Sequence, residues 1–204
     1  KLRNGETAGT KNYNWDDELI KILPEVLNQN ANVNRILLNR INELGSITQR
    51  DTTRKVEEIK LSAGLNWTSN TNLLGSELSE ILNAVKNSTR PPNNHYVDFV
   101  IGIGNPNFKN ENTYSNLSYD DDGIKLVGLF RYWNIIQYYF PYRNLIDENW
   151  DDVLKTFIPK IISADDELSY KLTLLELIGK INDTHASIWS REDTLSQFYG
   201  LKSA

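Results

Sequence analysis

Two stretches of this chain carry one pattern, and that repetition restricts the possible folds more than any other feature. "NWDDELIKILP" at 14–24 and "NWDDVLKTFIP" at 149–159 agree at the Asn, the Trp, both Asp, one Leu and the Pro, with the same spacing. After a slip of one residue the correspondence continues: Leu38 falls with Leu172, Ile41 with Leu175, Gly45 with Gly179 and Ile47 with Ile181. Such a repeat reads as two copies of a helix–helix unit. One copy alone cannot bury its apolar face, so the copies are expected to pack together or onto their neighbours.

Each copy has legible local signals. In 14–26, Trp15, Leu19, Ile22 and Val26 recur at helical spacing. Asn14 is the predicted N-cap, and Asp16, Asp17 and Glu18 place negative charge in the first turn, where the helix dipole favours it. Pro24 removes an amide donor, which predicts a kink or restart. A second helix is expected over 34–44, with Leu37, Leu38, Ile41 and Leu44 inward and Gly45 as its stop. A short helix is readable over 53–63, broken at Gly64, and a clearer one follows, capped by Ser76 and striped with Leu78, Ile81, Leu82 and Val85. "TRPPNN" at 89–94 reads as a hinge, 96–104 as a strand or hairpin, and 105–121 as loop.

The second half is more strongly helical. Between Ile124 and Phe140 the polar or small residues Lys125, Gly128, Arg131, Asn134 and Gln137 recur every third position. That spacing walks around a helix, so no wet face forms and the helix should be mostly buried, with Arg131 needing a carboxylate or carbonyl partner. Helices are predicted from Trp150, carrying Pro159, and over 166–181, where Glu176 and Lys180 are spaced for an i,i+4 pair beside Ser169 and Thr173. The expected architecture is mainly α: duplicated helix-pair units in helical bundles, a short strand or hairpin near 96–104, and an extended segment after 184. The organisation read from this is a loose segment at 1–13, a first helical unit at 14–90, a hinge, strand and loop at 91–119, and a second helical unit at 120–204. The aromatic helix that leads the second copy has no counterpart before the first, which implies a leading helix cut off or never built.

Composition excludes several functions. The chain has 204 residues, a formal net charge of -5 and no basic block, which argues against a nucleic-acid surface. Its 21 aromatic residues (5 Trp, 10 Tyr, 6 Phe) argue against disorder. With no cysteine there is neither a disulfide nor a thiolate metal site. No apolar run approaches the roughly 18 residues of a membrane span. Methionine is absent, even at position 1, as expected of an excised or processed piece.

The stretch "KINDTHASIW" at 180–189 gathers Asp183, His185 and Ser187, the residue types of a serine-hydrolase triad. On extended backbone, alternate side chains share a face and neighbours stand about 7 Å apart, a poor arrangement for two hydrogen bonds on one imidazole. A metal reading finds only Asp183 and His185, with His95 far off in sequence, and zinc wants three or four ligands. Asp120, Asp121 and Asp122 suit calcium less than helix capping. The plainest alternative makes Asp183 a cap or turn residue and His185 a packing residue.

The block "LVGLFRYWNIIQYYFPYRNLIDENWDDVLKTFIPKIISADDELSYKLTLLELIGKINDTHASIW" at 126–189 resembles the region ahead of the PDZ module in secreted Bacteroidetes serine peptidases of the tricorn and C-terminal processing protease family. "GNPNFKNE" at 104–111 and "NWDDELIKILP" at 14–24 resemble further parts of that region. The resemblance implies a helical body that does not catalyse alone and supports a downstream PDZ-like module and catalytic core carrying the nucleophilic serine. In the tricorn-type branch the general base is a histidine from this region, in a Ser-His-Ala setting. "THA" at 184–186 aligns with it, making His185 the candidate general base, with Thr184 in place of the serine and Asp183 as a supporting residue. Other members use a lysine of the core. No cofactor or metal is implied. The implied partners are the downstream domains of the same polypeptide and a protein or peptide substrate, and the implied location is secreted, periplasmic or cell-surface. A different class of function, a peptide-, glycan- or partner-binding module, is motivated by Tyr138, Tyr139 and Tyr142.

Overall fold

In a computed structural model of the chain, the described residues are 14–43, 47, 64–88, 95–114, 118–183, 186 and 188. Among them are six α-helices and one two-stranded sheet, so the protein is mainly α with a short hairpin. The chain divides into two compact units, Lys1–Thr113 and Tyr114–Ala204.

In the first unit, α1 (Trp15–Val26) packs on α2 (Val33–Glu43), and α2 packs on α3 (Thr71–Lys86). The side chain of Asn14 accepts from the amides of Asp16 and Asp17 at 3.0 and 3.3 Å, as the predicted cap. The expected restart at Pro24 does not occur, and the helix runs on to Val26. Proline's fixed φ is itself helical, so the helix can continue through it, at the cost of the bond to the Ile20 carbonyl and of the ring's crowding of that oxygen. Leu38, Leu74 and Leu78 form the core here, with Leu37, Ile41, Ile81 and Leu82 packed against them. Leu44, Gly45 and the helix expected over 53–63 lie outside the described residues, as does the hinge at 89–94.

α3 begins earlier than its predicted cap at Ser76. Asn70 takes the N-cap, accepting from the Leu73 amide at 3.2 Å, and Gly75 interrupts the helix at φ 72°, ψ 168°, a conformation open to glycine. The predicted start at Ser76 falls just past this break, and what the stripe did not show is the helical turn ahead of it, over 71–74. A 3-10 turn at Leu65–Ser69 is held to α3 by polar bonds: Ser79 Oγ donates to the Thr68 carbonyl at 2.7 Å, and Asn83 Nδ2 to the same oxygen at 3.1 Å.

β1 (Val97–Phe99) pairs antiparallel with β2 (Pro106–Phe108), in register Val97 to Phe108. The predicted strand is therefore shorter, and its partner lies in the stretch read as loop. Asn and Pro conceal a strand in composition, while Gly102 and Gly104, at φ 82° and 80°, turn the chain back.

In the second unit, α4 (Asp122–Tyr139) packs on α5 (Trp150–Ile162), and α5 on α6 (Glu167–Gly179). Asp121 caps α4 through the Ile124 amide at 3.0 Å, and Asn149 caps α5 through Asp151 and Asp152 at 2.9 and 3.3 Å. Leu129, Phe157, Ile161 and Leu177 are wholly buried. The expected Glu176–Lys180 pair is replaced by two longer-range ones, Lys160 with Glu176 at 2.5 Å and Lys180 with Glu148 at 2.6 Å. Helix spacing permits the local pair, but packing α5 on α6 brings Lys160 to the same carboxylate.

Candidate functional site

The segment leading into the Asp-Thr-His motif is set by how α4 and α5 hold each other. Lys125 on α4 is 1% exposed. Its ammonium donates to the carbonyls of Ile162 and Ala164, each at 3.0 Å, and pairs with Asp122 at 2.9 Å. Three donors meet three acceptors, which offsets the cost of burying the charge. Two of those acceptors sit at the C-terminal end of α5, where carbonyls lack helical partners and the dipole favours a cation. Further along, the two helices exchange indole bonds: Trp133 Nε1 donates to the Trp150 carbonyl at 2.8 Å, and Trp150 Nε1 to the Trp133 carbonyl at 3.1 Å. α6 comes close as well, since a β-carbon at Gly128 would lie 2.8 Å from the Tyr170 hydroxyl.

Past α6 the chain is tied back to the loop ahead of α5. Lys180 reaches Glu148, and Asn182, in the left-handed region at φ 52°, donates its Nδ2 to Asp147 at 2.9 Å. Ile181 between them is buried. Asp183 follows, half-buried, and its carbonyl accepts from the Ala186 amide at 3.1 Å. Tyr132 of α4 responds to this carboxylate. Burial, and then the charge of Asp183, push its phenol up to about 12. The hydroxyl oxygen is buried with no hydrogen-bond partner among the described residues, while its ring meets that of Trp150 edge-on at 6.5 Å.

Of the predicted site residues, Asp183 is placed, whereas Thr184, His185 and Ser187 lie outside the described residues. His95 belongs to the first unit, where its carbonyl accepts from Asn110 Nδ2 at 2.8 Å. Asp121 and Asp122 are engaged in the cap and the Lys125 pair, and no group of three or more metal-ligating side chains occurs among the described residues. Arg131 lies over the Tyr114 ring at 5.4 Å, a cation–π contact. The three tyrosines of the binding-module reading divide: Tyr138 packs edge-on to Trp133, Tyr139 sits at the margin of exposure, and Tyr142 is open to solvent.

Sequence reasoning missed Lys125, Tyr132 and the paired tryptophans. A signal existed for the first: a lysine inside an apolar helix, three residues after an aspartate. No protein-family model matches the chain, nor does any curated protein or solved structure. Among the described residues no helix is long and apolar enough to cross a membrane.

Proposed function

We propose that this chain is the helical N-terminal region of a secreted serine endopeptidase of the tricorn and C-terminal processing protease type, serving a catalytic core that its own residues do not include. The observation that carries the reading is the likeness of 126–189, which closes on Asp183, Thr184 and His185. The tether from Lys180 and Asn182 to Glu148 and Asp147 supports it, because a residue that reaches into another domain needs a fixed base. In this reading His185 is the general base for a serine of the downstream core. A histidine with an unperturbed pKa near ~6.5 suits that proton transfer. Asp183 is the orienting acceptor and Thr184 a supporting hydroxyl. The location is periplasmic, cell-surface or secreted, and the substrate a protein or peptide.

The test is His185→Ala in the full-length protein. Peptidase activity should be lost with the unfolding midpoint unchanged, and near-normal turnover would reduce His185 to a structural residue. The 204-residue chain alone should cleave nothing and should not react with a fluorophosphonate. Labelling of the chain by that reagent would overturn the division of labour. A second reading, a partner-docking module without a catalytic role, is favoured by one observation: Tyr142 and Leu145, between α4 and α5, are 61% and 67% exposed. In that case Tyr142→Ser would weaken capture of the partner, while His185→Ala would leave peptidase activity untouched.

A further inference from the structure

We propose that the tip of the β1–β2 hairpin is a membrane-interface anchor that dips into the apolar boundary of a neutral phospholipid surface. No residue from 99 to 108 is ionisable. Ile101 and Ile103 are 98% and 71% exposed, and Phe99, Val100 and Phe108 are exposed beside them. Isolated apolar side chains on a surface are ordinary, but five clustered on one short hairpin are not.

Three features favour lipid over a protein groove. Part of the turn is bonded internally: Val100 donates to the Asn105 carbonyl at 2.9 Å, and Ile103 and Gly104 donate to the Val100 carbonyl at 3.2 and 2.8 Å. Internal bonding of this kind lowers the cost of bringing backbone to an apolar boundary, where water and headgroups can still meet the remaining amides, whereas a protein interface carries about one hydrogen bond per 100–200 Å². Aliphatic residues dominate the tip, while the residues that anchor protein interfaces are chiefly Trp, Tyr and Arg. The dimensions agree as well. Lys109 and Asp98 close on each other at 2.5 Å at the base of the hairpin, a neutralised pair suited to the headgroup level. Ile101 stands three residues beyond Asp98. At about 3.3 Å per residue that is within ~10 Å, the depth to which interfacial elements insert. The net charge of -5 and the closed ion pair direct the choice to zwitterionic lipid, because an anionic surface would repel the chain.

The experiment is co-sedimentation of the 204-residue chain with phosphatidylcholine vesicles, with far-UV circular dichroism to verify folding. Ile101→Asp and, separately, Ile103→Ser should each reduce partitioning, the charged variant by roughly tenfold or more. Leu73→Asp, at an apolar residue 65% exposed on α3, is the control and should bind as the parent does. Absence of vesicle binding at millimolar lipid would overturn the proposal. So would equal binding by the hairpin variants, equal loss in the Leu73 control, or self-association of the chain that the Ile101 variant abolishes without any lipid effect.

Discussion

The two copies of the helix pair share a local code and differ in what lies over them. Asn14 and Asn149 cap the first helices through the same two amides, with distances that agree within a tenth of an ångström. The second helices also begin alike. Asn32 accepts from the Arg35 amide at 3.0 Å and Asp166 from the Ser169 amide at 2.8 Å, at corresponding positions of the repeat. Burial departs from this likeness. On α5, Trp150, Val153, Phe157 and Ile161 are buried beneath α4, while no residue of α1 is buried. The α1 counterparts are Trp15, Glu18, Ile22 and Val26. Glu18, where α5 has Val153, pairs with Lys21 at 2.9 Å and lies 3.8 Å from Arg40. A carboxylate under a covering helix would be costly, so this substitution adapts α1 to stay open. Local signals set where each helix starts; the neighbouring helix sets what it buries.

The largest effect that can test this contrast is loss of core volume. Phe157→Ala empties a site that is 0% exposed and should cost about 3–5 kcal/mol in urea unfolding of the full chain. Ile22→Ala at the matching position should cost less than the ~2–5 kcal/mol typical of a buried isoleucine, because Ile22 is only half-buried. Equal losses would mean that α1 is as well covered as α5.

Next comes the buried cation. Lys125→Met keeps the volume but leaves the carbonyls of Ile162 and Ala164 without their donor, which should cost about 1–3 kcal/mol. Arg40→Met, which removes a solvent-screened pair with Glu43 at 3.0 Å on the surface of the first unit, should cost clearly less. If Lys125→Met proved neutral, the ammonium would be incidental to the α4–α5 contact. The caps should then show the copies at their most similar: Asn14→Ala and Asn149→Ala should each cost about 1 kcal/mol, and a clear inequality would break the parallel.

What the sequence reveals follows the same division. Asn14 and Asp121 were readable as caps because the chemistry is local, whereas the burial expected of α4 from its periodicity holds for Lys125, Leu126, Val127, Leu129 and Ile136 and leaves most of the helix half-buried. Lys125 was legible only in its Asp122 partner, because its two carbonyl acceptors lie 37 and 39 residues away, at the end of a helix whose approach no local pattern encodes. β2 was missed for a related reason: Asn and Pro disguise a strand whose partner decides it. At the candidate site, Asp183 and His185 were legible as residue types, whereas Tyr132 could be found only once α4 and the end of α6 were brought together.

The smallest effect is silent at neutral pH and separates the units by chemistry. Burial above all raises the phenols of Tyr119, Tyr139 and Tyr170, and burial with the Asp183 charge carries Tyr132 to about 12. All four lie in the second unit. None has a matching tyrosine in the first copy: Tyr170 stands where α2 has Ile36, and the others fall outside the repeat. A phenol whose folded pKa exceeds the unfolded value of about 10 keeps its proton longer in the folded state. The stability it contributes is fully present below that unfolded value and is lost as pH rises through the folded one. The second unit should therefore weaken between about pH 10 and pH 12, and Tyr132→Phe should flatten that decline by removing its most shifted group. The measurement is the unfolding midpoint of parent and variant across this window. Because lysines titrate there too, the difference between the two proteins carries the result. Parallel curves would mean that Asp183 and the surrounding rings do not hold the Tyr132 proton.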